Sequence, residues 1–163
     1  MAISGEELLA KAKKFEKNLL NFFWRHGVSY SEGEDLVQET YLRLWNCRGE
    51  YSETAKLSTF LFLMARQVRL DALKKADRRA KREECWQKEQ PATASPKFCE
   101  KDDVRWAVSQ LSEPLREVVE LGVFQDLPYA EVSEILSVPV GTVKSRMFNA
   151  LRKLKEVLDD KRS

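Results

Sequence analysis

Apolar side chains recur at three- and four-residue intervals through most of the chain, the spacing of helices that bury one face. Leu8, Leu9, Ala12, Phe15, Leu19 and Phe23 trace the first stripe. Ser4-Gly5-Glu6-Glu7 opens it as a capping box, and the helix is predicted to run unbroken to about His26, with Gly27 as its stop. Ser31-Glu32-Gly33-Glu34 reads as a second capping box for a helix through about Asn46, burying Leu36, Val37, Thr40, Tyr41 and Leu44. A polar loop over 48–56 follows, carrying one aromatic residue, Tyr51. Ser58 then caps a third helix from Thr59 to about Arg82, with Leu61, Met64, Ala65, Val68 and Ala72 inward and Phe60 and Phe62 flanking them.

Periodicity fails between 83 and 101, where Pro91 and Pro96 stand among small polar residues in the composition of a linker. Val104, Ala107, Val108 and Leu111 restore a short helical pattern. Ser112-Glu113-Pro114 starts another, with Leu115, Val118 and Val119 inward and its end near Gly122. Leu127-Pro128 breaks the chain before a short amphipathic helix, Tyr129 to Leu136. Ser137 to Val140 joins this to a longer helix from about Gly141, whose inner stripe is Val143, Met147, Ala150 or Leu151, Leu154, and Val157 or Leu158. The opposite face presents Thr142, Lys144, Ser145, Asn149, Arg152 and Lys153, and Phe148 stands among these polar residues. Helix, short turn and longer basic helix is the pattern of a DNA-reading helix-turn-helix. The expected architecture is all-α: two small helical domains, 1–84 and 102–163, joined by a flexible linker, 85–101. The second is a four-helix domain ending in the helix-turn-helix.

A formal net charge of +2 conceals strong segregation. Between Arg66 and Arg82, eight bases face two acids, a balance of about +6, and between Lys144 and Arg162 seven bases face three acids, about +4. Residues 31–40 carry only acids, and over 113–134 Arg116 is the one base among acids. Two basic and two acidic surfaces suggest two kinds of partner, of which one is a polyanion. The acidic residues on the second helix fit either a solvated face or a docking face. Basic and aromatic residues together on the third suit phosphates and unstacked bases, and equally a solvated face with core phenylalanines.

The longest apolar run, Phe60 to Ala65, is far short of the roughly 18 residues of a membrane span, and no signal peptide is visible. Three widely spaced cysteines (Cys47, Cys85 and Cys99) imply neither a disulfide framework nor a zinc site, which points to a reducing cytoplasm. His26, the sole histidine, lacks ligand partners at metal spacing and reads as a surface or capping residue. With no phosphate-binding glycine loop, G-x-S-x-G or H-E-x-x-H motif, neither enzyme activity, a cofactor, a metal nor a small-molecule substrate is expected.

Taken together, these motifs resemble the extracytoplasmic-function (ECF) group of bacterial sigma factors, in order and across both domains. Asp35-Leu36-Val37-Gln38-Glu39-Thr40-Tyr41-Leu42-Arg43-Leu44-Trp45 is similar to region 2.2, the helix that docks on the β′ clamp coiled coil of core RNA polymerase. Thr59 to Arg66, continuing to Leu70-Asp71, is similar to regions 2.3 and 2.4, which melt and read the minus-10 element. Tyr129 to Leu136 and Gly141-Thr142-Val143-Lys144-Ser145-Arg146 resemble region 4.2, which reads the minus-35 element. Nothing between the domains resembles the region 3 of larger sigma factors.

The resemblance implies a promoter-specificity subunit whose partners are core polymerase (the β′ clamp and the β flap), promoter DNA and an anti-sigma factor, which could hold the chain at the membrane. It makes Asp35, Gln38, Glu39, Leu42 and Arg43 the polymerase-docking set. Tyr51, Phe60, Arg66, Gln67, Asp71, Lys74, Lys75 and Arg78 become the minus-10 set, with Arg69 and Arg79 as further phosphate contacts. Thr142, Lys144, Ser145, Arg146, Phe148, Asn149 and Arg152 become the minus-35 set. This chain departs from the usual pattern at Phe60, where tryptophan is usual, at Gln67 for asparagine, at Asn149 for arginine and at Ser137 for a turn glycine. The alternative is a two-domain helix-turn-helix regulator with an N-terminal dimerisation or sensing domain, which requires neither an acidic docking helix nor a basic-aromatic one.

The two kinds of basic residue are distinguishable in a promoter library. Lys144→Ala or Asn149→Ala should weaken use of particular minus-35 bases by about 1–3 kcal/mol each, whereas Lys75→Ala should weaken all promoters alike. A common factor for all three variants would contradict this division.

Overall fold

A computed structural model describes residues 3–52, 56–83 and 100–162, with the side chains of residues 83 and 100–102 left aside. Every regular element in these segments is helical. The expected linker, Cys85 and Cys99 lie outside the described residues, save its last two positions, which begin a helix.

The capping box at Ser4 forms as expected: Ser4 Oγ accepts from the Glu7 amide at 3.2 Å and the Glu7 carboxylate accepts from the Ser4 amide. It opens α1, Gly5–Lys13, but the stripe does not continue as one helix. The chain turns at Lys14 and restarts at Phe15 as α2, Glu16–Arg25. No glycine or proline marks this break, and tertiary packing accounts for it. Turning the axis places Leu19, Phe22 and Phe23 in the interior, each contributing about 1.5–3 kcal/mol, against about 1 kcal/mol net for each backbone hydrogen bond given up. Gly27 ends α2 at φ +89°, a conformation that favours glycine.

Helix α3, Tyr30–Asn46, starts two positions earlier than the capping-box pattern predicts, because Ser29 rather than Ser31 caps it, its Oγ accepting from the Glu32 amide. Val37, Thr40, Tyr41 and Leu44 are buried and Leu36 half-buried. Helix α4, Leu57–Glu83, begins ahead of Ser58, so that serine sits in its first turn and the Lys56 carbonyl accepts from the Phe60 amide. Leu61, Phe62, Ala65 and Val68 face inward, and Phe62 meets Phe22 with ring centroids 5.9 Å apart. Phe62 is thus a core residue, while Phe60 is only half-buried.

The second half is built from α5 (Glu100–Ser109), α6 (Glu113–Val119), α7 (Tyr129–Leu136) and α8 (Val140–Arg162). Pro114 occupies the first turn of α6. Where the pattern leaves the end near Gly122 open, α6 widens into a π-helical turn, Glu120–Phe124, whose Gln125 amide returns to the Glu120 carbonyl. Such insertions often accompany functional sites, and the first residue of this one, Glu120, is buried. Helix α8 packs on α6 and α7, with Val143, Met147 and Ala150 buried between them. At the two positions where the stripe could take either of two neighbours, it takes Ala150, which is buried, and Val157, which is half-buried, while Leu151 and Leu158 are exposed.

The two halves touch. Helix α7 lies against α4 and α5 against α2, and the buried apolar residues of both halves form one contiguous cluster.

In the helix-turn-helix, Ser137, which stands in place of the usual turn glycine, adopts the left-handed conformation, φ +56°, ψ +43°. Its amide and that of Val138 both bond to the Ser133 carbonyl, and Ser133 Oγ donates to the Val138 carbonyl, so the turn is held from two sides. Ser137→Gly should relieve the backbone cost, raising unfolding free energy by about 1 kcal/mol in a urea titration. An unchanged or lowered midpoint would mean that the turn holds no such strain.

Candidate nucleic-acid interface

Three exposed surfaces carry the residues of interest, and a polar seam between the halves limits one of them. On α3, Asp35, Gln38, Glu39, Leu42 and Arg43 fall at spacings that share one helix face. Asp35, Gln38 and Leu42 are exposed, Leu42 by 60%, which is unusual for a leucine opposite a packed core. Glu39 and Arg43 are half-buried. The Arg43 guanidinium meets Glu39 at 3.2 Å and Asp71 of α4 at 2.7 Å, so a residue of the docking set is tied directly to one of the minus-10 set.

On α8, Lys144, Ser145, Phe148, Asn149 and Arg152 are exposed, and Thr142 and Arg146 half-buried. Phe148, at 68%, is the most exposed of the large apolar side chains described. The Arg152 guanidinium lies 5.9 Å from its ring centroid, and Ser145 Oγ donates to the Gly141 carbonyl. The surface therefore offers two cations, an amide and an apolar edge along about two helical turns, the chemistry needed for base edges and thymine methyls.

The minus-10 set on and near α4 divides in two. Tyr51 and Phe60, both half-buried, pack with ring centroids 5.6 Å apart, and Gln67 is exposed nearby in sequence. Lys74, Lys75, Arg78 and Arg79 are exposed along the second half of the helix. The first half is different. Arg66 is engaged by Glu117 through two contacts, of 3.1 and 3.4 Å. Arg69, only 3% exposed, bonds to Glu117 at 3.1 Å and to Glu113. In this arrangement neither guanidinium is presented to solvent as the remaining bases are.

These contacts belong to the seam. Arg25 of α2 forms a bidentate pair with Glu120 (2.6 and 2.9 Å) while its guanidinium stacks 4.1 Å from the Phe124 ring centroid. Glu120 is fully buried, and Gln125 donates to it at 3.0 Å. Burial pushes the Glu120 carboxyl above the usual range, although Arg25 pulls it down. Arg105 of α5 donates to the carbonyls of Trp24 and Val28, at 2.8 and 3.3 Å, and Lys56 meets Glu131 at 3.0 Å. Sequence reasoning missed Arg25, Arg105, Glu113, Glu117 and Glu120 as a set. Their one visible signal was spacing: Glu113, Glu117 and Glu120 follow one another at four and three residues along an otherwise apolar helix.

His26 caps α2, as a capping histidine should. Its Nδ1 lies 2.8 Å from the Phe22 carbonyl, an arrangement suited to a neutral ring donating there. Burial, aided by the nearby charges of Arg69, Arg116 and Arg25, pushes its pKa down to about 3 against the opposing pull of the Phe22 hydrogen bond. Among the described residues no group of histidine, cysteine and carboxylate side chains is arranged to hold a metal ion.

Residues 12–79 match the family model for Sigma-70 region 2, and residues 101–154 match that for Sigma-70, region 4. The ECF RNA polymerase sigma factor SigK of Mycobacterium ulcerans is 31% identical over 134 residues, covering 77% of this chain and 72% of that protein. The chain belongs to the ECF sigma factors. The ECF sigma factor RpoE of Cereibacter sphaeroides is 28% identical over 147 residues, covering 87% and 81% of the two chains. In fold, this sigma factor is similar to RpoE from Bartonella quintana, solved with the anti-sigma factor NepR, at a TM-score of 0.80 and 22% identity over 94% of this chain and 98% of that one. It is also similar to CnrH, solved with the cytosolic domain of CnrY, at a TM-score of 0.75 and 18% identity, covering 96% and 90%. The matched segments put α3 and α4 of this sigma factor in region 2 and its helix-turn-helix in region 4.

A folded-state pKa near 3 for His26, against about 6.5 unfolded, means that the unfolded chain binds the extra proton between these values. Stability should therefore fall as pH drops below about 6.5, by about 1 kcal/mol between pH 7.5 and 5.5. In urea titrations across that range, His26→Gln should remove this slope, and a slope that persists unchanged would place its origin elsewhere.

Proposed function

We propose that this ECF sigma factor works as a promoter-specificity subunit through the three surfaces described, each with its own partner. The α3 face, centred on exposed Leu42 with Asp35, Gln38, Glu39 and Arg43, docks on the β′ clamp of core RNA polymerase. The minus-10 element is opened and read by Tyr51, Phe60, Arg66, Gln67 and Asp71, with Lys74, Lys75 and Arg78 on phosphates. Stacking against such an aromatic pair can offset the few kcal/mol needed to extrude a base. The minus-35 element is read by Thr142, Lys144, Ser145, Arg146, Phe148, Asn149 and Arg152, and the region 4 half also meets the β flap. The division behind these roles is 1–84 and 102–163, with 85–101 between them.

The observation that carries this reading is Phe148, two-thirds exposed and flanked by Lys144, Asn149 and Arg152 on a helix whose other face is buried. A large apolar side chain held out among cations on a rigid helix suits a DNA groove better than a solvated face. Initiation by this factor is a binding function and not catalysis of its own. Among the described residues no helix is long and apolar enough to cross a membrane, in keeping with work in the cytoplasm beside polymerase. Because a fold relative was solved with an anti-sigma factor, a partner of that kind, soluble or membrane-held, is proposed for this chain too.

Run-off transcription with purified core polymerase and a random promoter pool tests the reading. The chain should redirect initiation to one promoter class, and Phe148→Ala should reduce that selection by about tenfold or more, as expected for loss of a specific base contact. Failure to redirect a competent polymerase would refute it.

A further inference from the structure

Asp71 is one of two acids in the basic stretch of α4, 66–82. Lys74 and Lys75 follow it at the three- and four-residue spacings where a helix pairs opposite charges on its own surface. The Asp71 carboxylate pairs instead with Arg43 of α3, at 2.7 Å. The same guanidinium donates through Nε to Glu39, one turn earlier on α3, at 3.2 Å. A carboxylate, a guanidinium and a second carboxylate thus form a chain from α4 to the α3 face around Leu42. Its members are neither buried nor fully solvated: the Arg43 side chain is 28% exposed, and those of Glu39 and Asp71 are 46% exposed each.

This chain bears on orientation more than on stability. Helix α3 packs along α4, with Val37, Tyr41 and Leu44 of one and Leu61, Ala65 and Val68 of the other buried in the same cluster. Beside that apolar contact, a half-exposed ion pair adds little to folding. It does fix a direction. An arginine fork bonded at two corners has one orientation, whereas a free arginine side chain has many. Glu39, three positions before Leu42 on the same face, is held by that fork.

We propose that Asp71, besides its place on the minus-10 helix, is a positioning residue of the polymerase-docking face: it anchors Arg43, and through Arg43 it holds the Glu39 carboxylate ready for a cationic group of core polymerase. The proposal rests on the reading of α3 as the docking helix. Ordering long side chains on association lowers affinity, and a face ordered in advance avoids that loss. Asp71 therefore acts on polymerase binding even where no DNA is present, an effect that its minus-10 position alone does not imply.

Fluorescence titration of the labelled full chain with purified core polymerase, without DNA, reads this role. Asp71→Ala should weaken binding about fivefold, the scale of one or two long side chains that must be ordered on association. In an Arg43→Ala background the same substitution should change nothing further, because Asp71 acts through that guanidinium. The urea midpoint of Asp71→Ala should stay at the parent value, a readout that a merely structural role would move. Asp71→Asn keeps the side-chain shape and loses the charge. It should weaken binding by a smaller factor, and it carries the test if the alanine variant loses helicity by circular dichroism. Asp77→Ala makes the same change of charge at an exposed position of α4 and should bind as the parent does. Parent-like affinity for both Asp71 variants, or an equal loss with and without Arg43, would overturn the proposal. Leu42→Asp separates this from failure of the docking reading. If Leu42→Asp binds core polymerase as tightly as the parent, α3 is not the docking helix and the proposal falls with that reading. If it binds weakly while the Asp71 variants bind normally, only the positioning role is wrong.

Discussion

A carboxylate with no solvent exposure must be answered by a cation, and for Glu120 the cation comes from the other half of the chain. Taking a carboxylate out of water costs several kcal/mol, and removing one partner of such a buried pair typically costs about 3–5 kcal/mol. The interior of the second half is thus completed by Arg25 of the first, stacked on Phe124 and supported by Gln125. The remaining seam contacts extend from this pair. Arg66 and Arg69 reach Glu117, Arg105 closes on the end of α2, and Lys56 meets Glu131. The π turn adjoins the same constraint, since Glu120 is its first residue.

That seam gives the surfaces of this sigma factor unequal standing. The α3 face around Leu42 and the α8 face around Phe148 are open, with both side chains held out into solvent. Helix α4 is divided along its length, its forward arginines engaged and its rear bases free. Arg43 adds a short route between helices, because one guanidinium bonds both to Glu39 on α3 and to Asp71 on α4. A partner that pulls on Glu39 or Arg43 therefore acts on a residue next to the proposed phosphate contacts, without any long chain of intermediates.

Charge segregation looks different once the halves are together. Along the sequence, the acids over 113–134 and the bases over 66–82 suggest surfaces for separate external partners. In the folded chain, part of each is the partner of the other, and only the outer residues of each group remain available. Charge runs report that a surface needs an opposite, and say nothing about whether that opposite lies in another molecule.

Helical periodicity alone determined the all-α class, the order of the elements, the helix-turn-helix and its exposed set from Lys144 to Arg152, because burial of one face leaves a period in the sequence. The positive φ at Ser137 was decided by the structure, because a non-glycine residue there was compatible with a strained left-handed turn or with another turn geometry. The exposed face of α3 was legible from the same periodicity. The break at Lys14 and Phe15 was not, since an apolar stripe continues across it and only the packing of Leu19, Phe22 and Phe23 selects a turned axis. Nor were the cap at Ser29, two residues ahead of Ser31, and the π turn. The seam lay furthest from view. Arg25 and Glu120 are 95 positions apart, and no local pattern records which guanidinium will meet which carboxylate. Periodicity is a property of neighbours along the chain, whereas an ion pair between two halves exists only when both have folded and met.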